Sequence, residues 1–398
     1  MADISKENFI PVNKSEIVLH LQRKLSGKKE KKQFAQFCML VSSMFHYRYH
    51  TSLESLKELY IPFDPDADRT MVSLLSYDGK TIKNHERNLY ERIEELLVAG
   101  NYTKIHQEEL QKAFSGVSPW GIQLDVDFNS YQQYSVYYKG KRRDSFEKWF
   151  LFRKKVHGFD VYGRVFFLFR LNEEAVKDDD NALSSDKIYL KIFKNVPELD
   201  LEMLFPNMKI RIRWVDKAKV IVPLVAGGAS SLYKIISYVL VQGNPVKLWS
   251  QIGFWSLVGG FFIFALKSFM SYKNTVEKYL KTLATSLYFQ NLDNNSGVIT
   301  CLTDEAEEQE CREAILAYFF LLTEAEQKHS VQSLDERIER FFREEFSLDV
   351  DFEVDDAVRK LKSLSLLEKK GKSLRVVPLF KALRALDEQW DGLYSYRN

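Results

Sequence analysis

The sequence predicts an α+β membrane protein, and three observations carry that expectation. Two apolar segments, residues 220–241 (VIVPLVAGGASSLYKIISYVLV) and 248–266 (LWSQIGFWSLVGGFFIFAL), face each other across a short break. Each is near the ~20 residues a helix needs to cross a bilayer core. Before them, apolar recurrence at three and four residues gives way to strict alternation, the change from helical to strand period. After them, two amphipathic helices precede a basic hairpin, which is the element order of a winged helix.

The expected organisation is an N-terminal helical region over 1–118 and an antiparallel, strand-rich α+β region over 119–217. A transmembrane helical hairpin over 218–270, a helical connector over 271–324 and a winged-helix-like C-terminal domain over 325–398 complete it. Helical spacing selects 16–25, 31–50, 53–60, 87–97 and 107–114, and the stretch 61–70 (IPFDPDADRT) interrupts it with two prolines. Strands are expected over 121–128, 133–138, 161–171 (VYGRVFFLFRL), 187–193 (KIYLKIF) and 209–215 (KIRIRWV). The acidic stretch 177–186 reads as a loop. Beyond the second apolar run, 273–289 continues as helix and 293–297 (DNNSG) is a turn. Thr303 is then the expected N-cap of a helix over 304–322, with Glu305 and Glu307 in its first turn. Helices over 331–342, 355–366 and 379–390, with a hairpin over 367–377 around Gly371, end the chain.

The charges flanking the apolar pair give it an orientation. Arg211, Arg213, Lys217 and Lys219 precede it and Lys267, Lys273 and Lys278 follow it, whereas the turn is bordered only by Lys247. The positive-inside rule then places both flanking regions, and both termini, on the cytoplasmic side. Residues 1–12 carry neither an apolar leader core nor an Arg-rich transit pattern, so a prokaryotic inner membrane is the expected location. Gly227 with Ser231 and Ser256 with Gly260 have the spacing of close-packed helices, which predicts a homo-oligomer. Lys234 and Gln251 are the polar residues within the spans and the candidates for lining a pore.

Composition narrows the function classes. The chain of 398 residues is 45% apolar and 28% charged, and its net charge of +2 does not suit wholesale coating of nucleic acid. Cys38, Cys301 and Cys311 have no ligand-like spacing, so neither a zinc site nor a disulfide framework is expected, and no cofactor is implied. No P-loop, dinucleotide fingerprint, nucleophile elbow or zinc-protease motif occurs. His46 and His50 share a helix face but enclose Tyr47, Arg48 and Tyr49 rather than a metalloprotease glutamate. Asp64, Asp66 and Asp68 imitate the start of a calcium loop, which Arg69 and Leu75 then break. Glu305, Glu307, Glu308, Glu310 and Glu313 read as a solvated helix face.

Two basic patches remain. The stretch 139–155 (KGKRRDSFEKWFLFRKK) offers Arg142, Arg143, Arg153, Lys154 and Lys155 to anionic lipid headgroups. Arg359, Lys360 and Lys362 on one C-terminal helix, with Lys369, Lys370, Lys372 and Arg375 in the wing, suit a protein partner or DNA.

Residues 9–12 (FIPV), 60–66 (YIPFDPD), 190–206 (LKIFKNVPELDLEMLFP), 288–295 (YFQNLDNN) and 304–318 (DEAEEQECREAILAY) together resemble the membrane-protein family of domain of unknown function 3754, the transmembrane protein 143-like proteins. The resemblance implies a two-span membrane protein and supplies neither a reaction nor catalytic residues. The expectation is a non-enzymatic, membrane-anchored scaffold or regulatory protein that binds a protein or lipid partner. The alternatives are an oligomeric channel or transport component using the 220–266 hairpin, and a membrane-tethered DNA-binding regulator.

Overall fold

The structure, a computed structural model, describes residues 6–68, 78–115, 123–150, 153–177, 183–206, 208–211, 252–326, 329–368 and 373–394, with isolated positions at 222, 225, 226, 229, 233, 236 and 237. The chain divides into two units, neither continuous in sequence. The first comprises Met1–Glu109, Asn129–Glu198 and Asn291–Asn398, and the second Leu110–Phe128 and Leu199–Gln290.

The first unit begins with helix α1 (Lys14–Lys24) and the long helix α2 (Lys28–Tyr60). The spacing predicts two helices where α2 is one. The polar step between the two apolar runs stays within the helix, where the Thr51 Oγ1 donates to the Tyr47 carbonyl (2.9 Å) and so is satisfied without leaving it. Helix α3 (Gly79–Ala99) is capped by Asp78, whose carboxylate accepts the Thr81 N–H (2.9 Å). Strand β1 (Thr103–Ile105) and helix α4 (Gln107–Ser115) follow.

The sheet is built from β1, β3 (Tyr131–Phe150), β4 (Arg153–Leu171), β5 (Tyr189–Pro197) and β7 (Asn291–Asn294), in that order and antiparallel throughout. The short helix α5 (Glu173–Lys177) follows β4. Tyr137, Phe166, Leu168, Leu190 and Ile192 join the sheet to a core shared with the helices. Strand β7 lies in a stretch that the spacing assigns to a helix end and a turn. The backbone of β5 recruits it, and pairing with a sheet edge overrides local preference.

Helix α7 (Ser296–Thr323) runs through that core, and every residue from Ala314 to Leu321 is at most 2% exposed. A helix apolar all round must be covered all round. Phe34 and Phe37 of α2 reach it, with ring centroids 5.2 Å from Phe319 and 4.0 Å from Tyr318. Helices α8 (Val331–Phe346), α9 (Val354–Ser363) and α10 (Leu379–Asp391) complete the unit, and Phe341 of α8 meets Phe320 at 5.5 Å. Thr303 is therefore no cap: it is buried inside α7 and its Oγ1 donates to the Ile299 carbonyl (2.7 Å). The helix begins earlier because Asn295, at φ 51°, turns the chain out of β7.

Asn295 ties three elements at this turn. Its N–H donates to the Leu190 carbonyl (2.7 Å), its Oδ1 accepts the Leu190 N–H (3.3 Å), and its Nδ2 donates to Asp66 (2.6 Å). The Tyr60 hydroxyl, at the end of α2, donates to the Ile188 carbonyl 2.7 Å away and lies 3.4 Å from Asn295 Oδ1.

The second unit pairs β2 (Gln123–Asp125) with β6 (Lys209–Arg211), antiparallel, and contains helix α6 (Ile252–Gln290). Leu124, Met203 and Leu283 form its small core, and the rings of Phe114, Phe128 and Phe205 meet at 5.6–5.8 Å. Glu202 is buried there and accepts the Leu124 N–H (3.3 Å), and burial pushes its carboxyl up to about 8.

The membrane-protein expectation is corrected by this architecture. Among the described residues no helix is long and apolar enough to cross a membrane. The second apolar run opens α6 and passes without a break into Lys267, Lys273, Glu277 and Lys278 on that helix. The first run falls almost wholly outside the described residues. The transmembrane hairpin, the α+β membrane fold class and the inner-membrane location that rested on it are withdrawn.

Two predictions follow from buried polar groups. Asn295→Ala should lower stability by ~2–4 kcal/mol in urea unfolding, because it strands the Leu190 N–H and places alanine at a positive φ. Glu202 holds its proton in the folded state, so its contribution to stability is complete below its unfolded value of 4.5 and disappears as pH rises through about 8. Melting temperature should fall across that window, and Glu202→Gln should flatten the fall by roughly 5 °C.

Candidate functional site

Strand β3 is far longer than the alternation in its sequence predicts, and its register with β4 is kept from Tyr131↔Leu171 to Phe150↔Arg153. The neighbouring strands are shorter. β1 pairs with Val136–Tyr138 and β5 with Val161–Phe169. From Arg142 to Phe150, and back from Arg153 to Asp160, no third strand joins the ribbon among the described residues. The result is a two-stranded arm of ~9 residues a strand, or ~30 Å at ~3.3 Å per residue. At its root Lys141 is paired with Asp160 (2.8 Å). Arg142 and Arg143 are exposed beyond it. Arg143 lies along bare backbone, since a Cβ on Gly158 would stand 3.4 Å from its Nε. Arg153, Lys154 and Lys155 occupy β4 opposite Phe150, Trp149 and Lys148.

A cavity of about 750 Å³ opens beside the middle of β3, at Lys139, walled by the N-terminal segment, β3, β4 and the middle of α7. The segment is held by Arg312, whose Nη1 donates to the carbonyls of Ile10 (3.1 Å) and Val12 (2.8 Å). Its earlier part is fixed too: the Glu7 N–H donates to the Asp349 carbonyl, and Lys6 pairs with Glu339 and Asp351. Inside, Lys139 is 6% exposed and donates to Glu305 Oε2 (3.1 Å). The Tyr102 hydroxyl donates to that same oxygen (2.9 Å), and the Arg164 Nε lies 3.4 Å from Oε1. The Lys139 ammonium sits over the rings of Phe9 (5.2 Å) and Tyr102 (5.4 Å). Burial lowers its pKa, Glu305 works against that shift, and the charges of Arg312 and Arg164 add to it. The fit at Phe9 requires glycine at 140, where φ is +71° and a Cβ would come within 3.1 Å of the ring.

The other expected site residues are scattered. Gly227, Ser231, Lys234 and Gln251 lie outside the described residues, as do Lys369, Lys370 and Lys372. Ser256 and Gly260 are on α6, and a Cβ built on Gly260 meets nothing within 4 Å. Arg359, Lys362 and Arg375 are exposed, with Arg359 bound to Asp356 on its own helix. Lys360 departs from its expected place on an outward basic face. It is 7% exposed, and its ammonium lies among Glu313, Asp356 and Glu310. Burial opposes its charge, but Glu313, Glu310 and Asp356 outweigh that and hold its pKa above the ordinary lysine value. Glu313 is correspondingly not on a solvated face but 1% exposed. His46 pairs with Glu307 (3.1 Å), and among the described residues no group of three or more His, Cys, Asp or Glu side chains could hold a metal ion.

The sequence does not single out the cavity residues. Lys139 reads as part of the basic stretch, Glu305 as part of the acidic helix face, and Arg164 and Arg312 carry no motif. Only the quoted stretches 9–12 and 304–318 touch its wall.

Residues 131–297 match the family described as Protein of unknown function (DUF3754). The matched stretch starts at the first residue of β3 and ends just inside α7, so it holds the arm and two of the cavity's inner cations, Lys139 and Arg164. It supports the resemblance to that family of unknown function. No solved structure matches the chain.

The buried ion cluster makes a prediction that separates packing from recognition. Lys360→Met should destabilise the chain by ~3–5 kcal/mol by leaving Glu313 buried without its cation, and the double variant Lys360→Met/Glu313→Leu should recover most of that loss. Chemical denaturation of the three chains checks it.

Proposed function

We propose that this chain is a non-enzymatic scaffold or regulatory protein whose β3–β4 arm docks an acidic segment of a partner protein. The single observation behind this reading is the arm's backbone. Beyond Arg142 and Asp160 the two strands pair only with each other among the described residues. A lone two-stranded ribbon is marginal in water, and open strand edges are templates for an added strand. The cations of the arm (Arg142, Arg143, Arg153, Lys154 and Lys155) give that template a sign, favouring a partner rich in Asp and Glu. Arg142, Arg143, Arg153, Lys154 and Lys155 thus keep a binding role, with a protein segment as the first choice of ligand. A finer kinship, with the transmembrane protein 143-like proteins, rests on the quoted stretches of sequence alone.

The residues of the channel expectation, Lys234 and Gln251, lie outside the described residues, and Lys360, one contact of the DNA-binding expectation, is buried.

A photo-crosslinker placed at Ser145 tests the proposal. A discrete protein adduct should form in cells and should be lost in Arg142→Glu/Arg143→Glu and in high salt. Adducts to phosphatidylserine vesicles with no protein adduct would replace it with a lipid-surface reading. Adducts that are indifferent to both arginines would overturn it.

A further inference from the structure

The cavity beside Lys139 in the middle of β3 holds more positive charge on its inner wall than its one inner carboxylate neutralises. Lys139 and Arg164 both converge on Glu305. Arg312 adds a third cation, and its hydrogen bonds go to neutral carbonyls of Ile10, Val12 and Glu308. Further out, Lys14 and Glu308 neutralise each other at 2.8 Å, while Glu16 and Asp304 stand in solvent at the rim. Three cations here share one inner carboxylate, and Lys139 is 6% exposed, so an added anion would complete a charge balance that Glu305 supplies only in part.

We infer that this cavity binds a metabolite-sized oxyanion, a carboxylate or a phosphate monoester, with Arg164 and Lys139 as its receptors. Several features fit that ligand class. The Arg164 side chain is 41% exposed; its Nε meets Glu305 and its Nη1 donates to the Gly163 carbonyl (3.2 Å), which leaves the remaining guanidinium donors to match carboxylate or phosphate oxygens. Gly163 keeps the floor between the two cations free of side chain, and a Cβ there would press to 3.2 Å from the Lys139 carbonyl. The Phe9 ring supplies an apolar wall beside the ammonium. A volume of about 750 Å³ exceeds a bare inorganic ion and falls within the usual range for small organic ligands. The acidic rim of Glu16 and Asp304 disfavours a long polyanion threading outward, so the site selects small anions over nucleic acid. This inference is independent of the arm's partner, because the two use different residues of β3.

Titration calorimetry of the full chain with citrate and, separately, inorganic phosphate tests it. At least one of these probes should bind in the millimolar range or tighter. Arg164→Gln should weaken that binding by tenfold or more (~1.4 kcal/mol), and Arg164→Lys should restore part of it. Arg142→Glu/Arg143→Glu, on the arm, should leave it unchanged. Hydrogen exchange at the amides of Phe9, Ile10 and Val12 should slow when the anion is present, a readout that does not depend on heat. The inference is overturned if neither anion binds wild type, if Arg164→Gln binds as well as wild type, or if the arm variant is the one that loses binding.

Discussion

Helix α7 cannot be left uncovered on any side, and most of the architecture answers that constraint. Its buried run contains Tyr318, Phe319 and Phe320, and fully burying each such aromatic contributes roughly 1.5–3 kcal/mol. Covering it takes α2 from the start of the chain and α8 and α9 from the end. It also carries Glu313 into the core, which makes Lys360 of α9 a structural partner rather than a surface cation. The C-terminal helices are therefore part of one core with the N-terminal ones, joined through Phe320, Phe341 and the Glu313–Lys360 pair.

The same helix links the core to the cavity. Its middle turns present Glu305 and Glu308, and Arg312 follows on the face that meets residues 9–12. Strand β3 runs from that cavity to the arm, with Lys139 facing one and Arg142 leading into the other. The N-terminal segment, the sheet and α7 meet at this cavity, so a ligand there would act on three separate parts of the first unit at once.

Much of the fold was legible in the sequence where the pattern itself reports burial. The alternation in 161–171 and 187–193 marks β4 and β5, and the apolar spacing of 331–342 and 379–390 marks α8 and α10. The failures have physical causes. Strand β7 is polar (NLDN) and owes its conformation to hydrogen bonds from β5, which no local pattern encodes. Thr303 has a capping side chain, but a threonine can also return its proton to the preceding turn, and only the turn at Asn295 decides between these. Lys360 lies among cations in sequence and among carboxylates in space. The apolar run that opens α6 has the composition of a membrane span, yet among the described residues no helix meets the length and apolarity of one. The cavity was illegible because Lys139, Arg164, Glu305 and Arg312 come from distant stretches, and each alone resembles an ordinary surface charge.

The interruption of the first unit by residues 199–290 also has a bearing on how the chain is made. Strand β5 leaves the ribosome well before β7, its neighbour in the sheet, and before α7, around which the core forms. At ~5–20 residues per second, that interval lasts roughly 5–20 s. Throughout it the sheet lacks its β7 edge, and Phe166, Leu168, Leu190 and Ile192 lack the α7 part of the core they share. The first unit therefore closes around α7 only after the whole of 199–290 has been made, so its core is completed by its last-synthesised third.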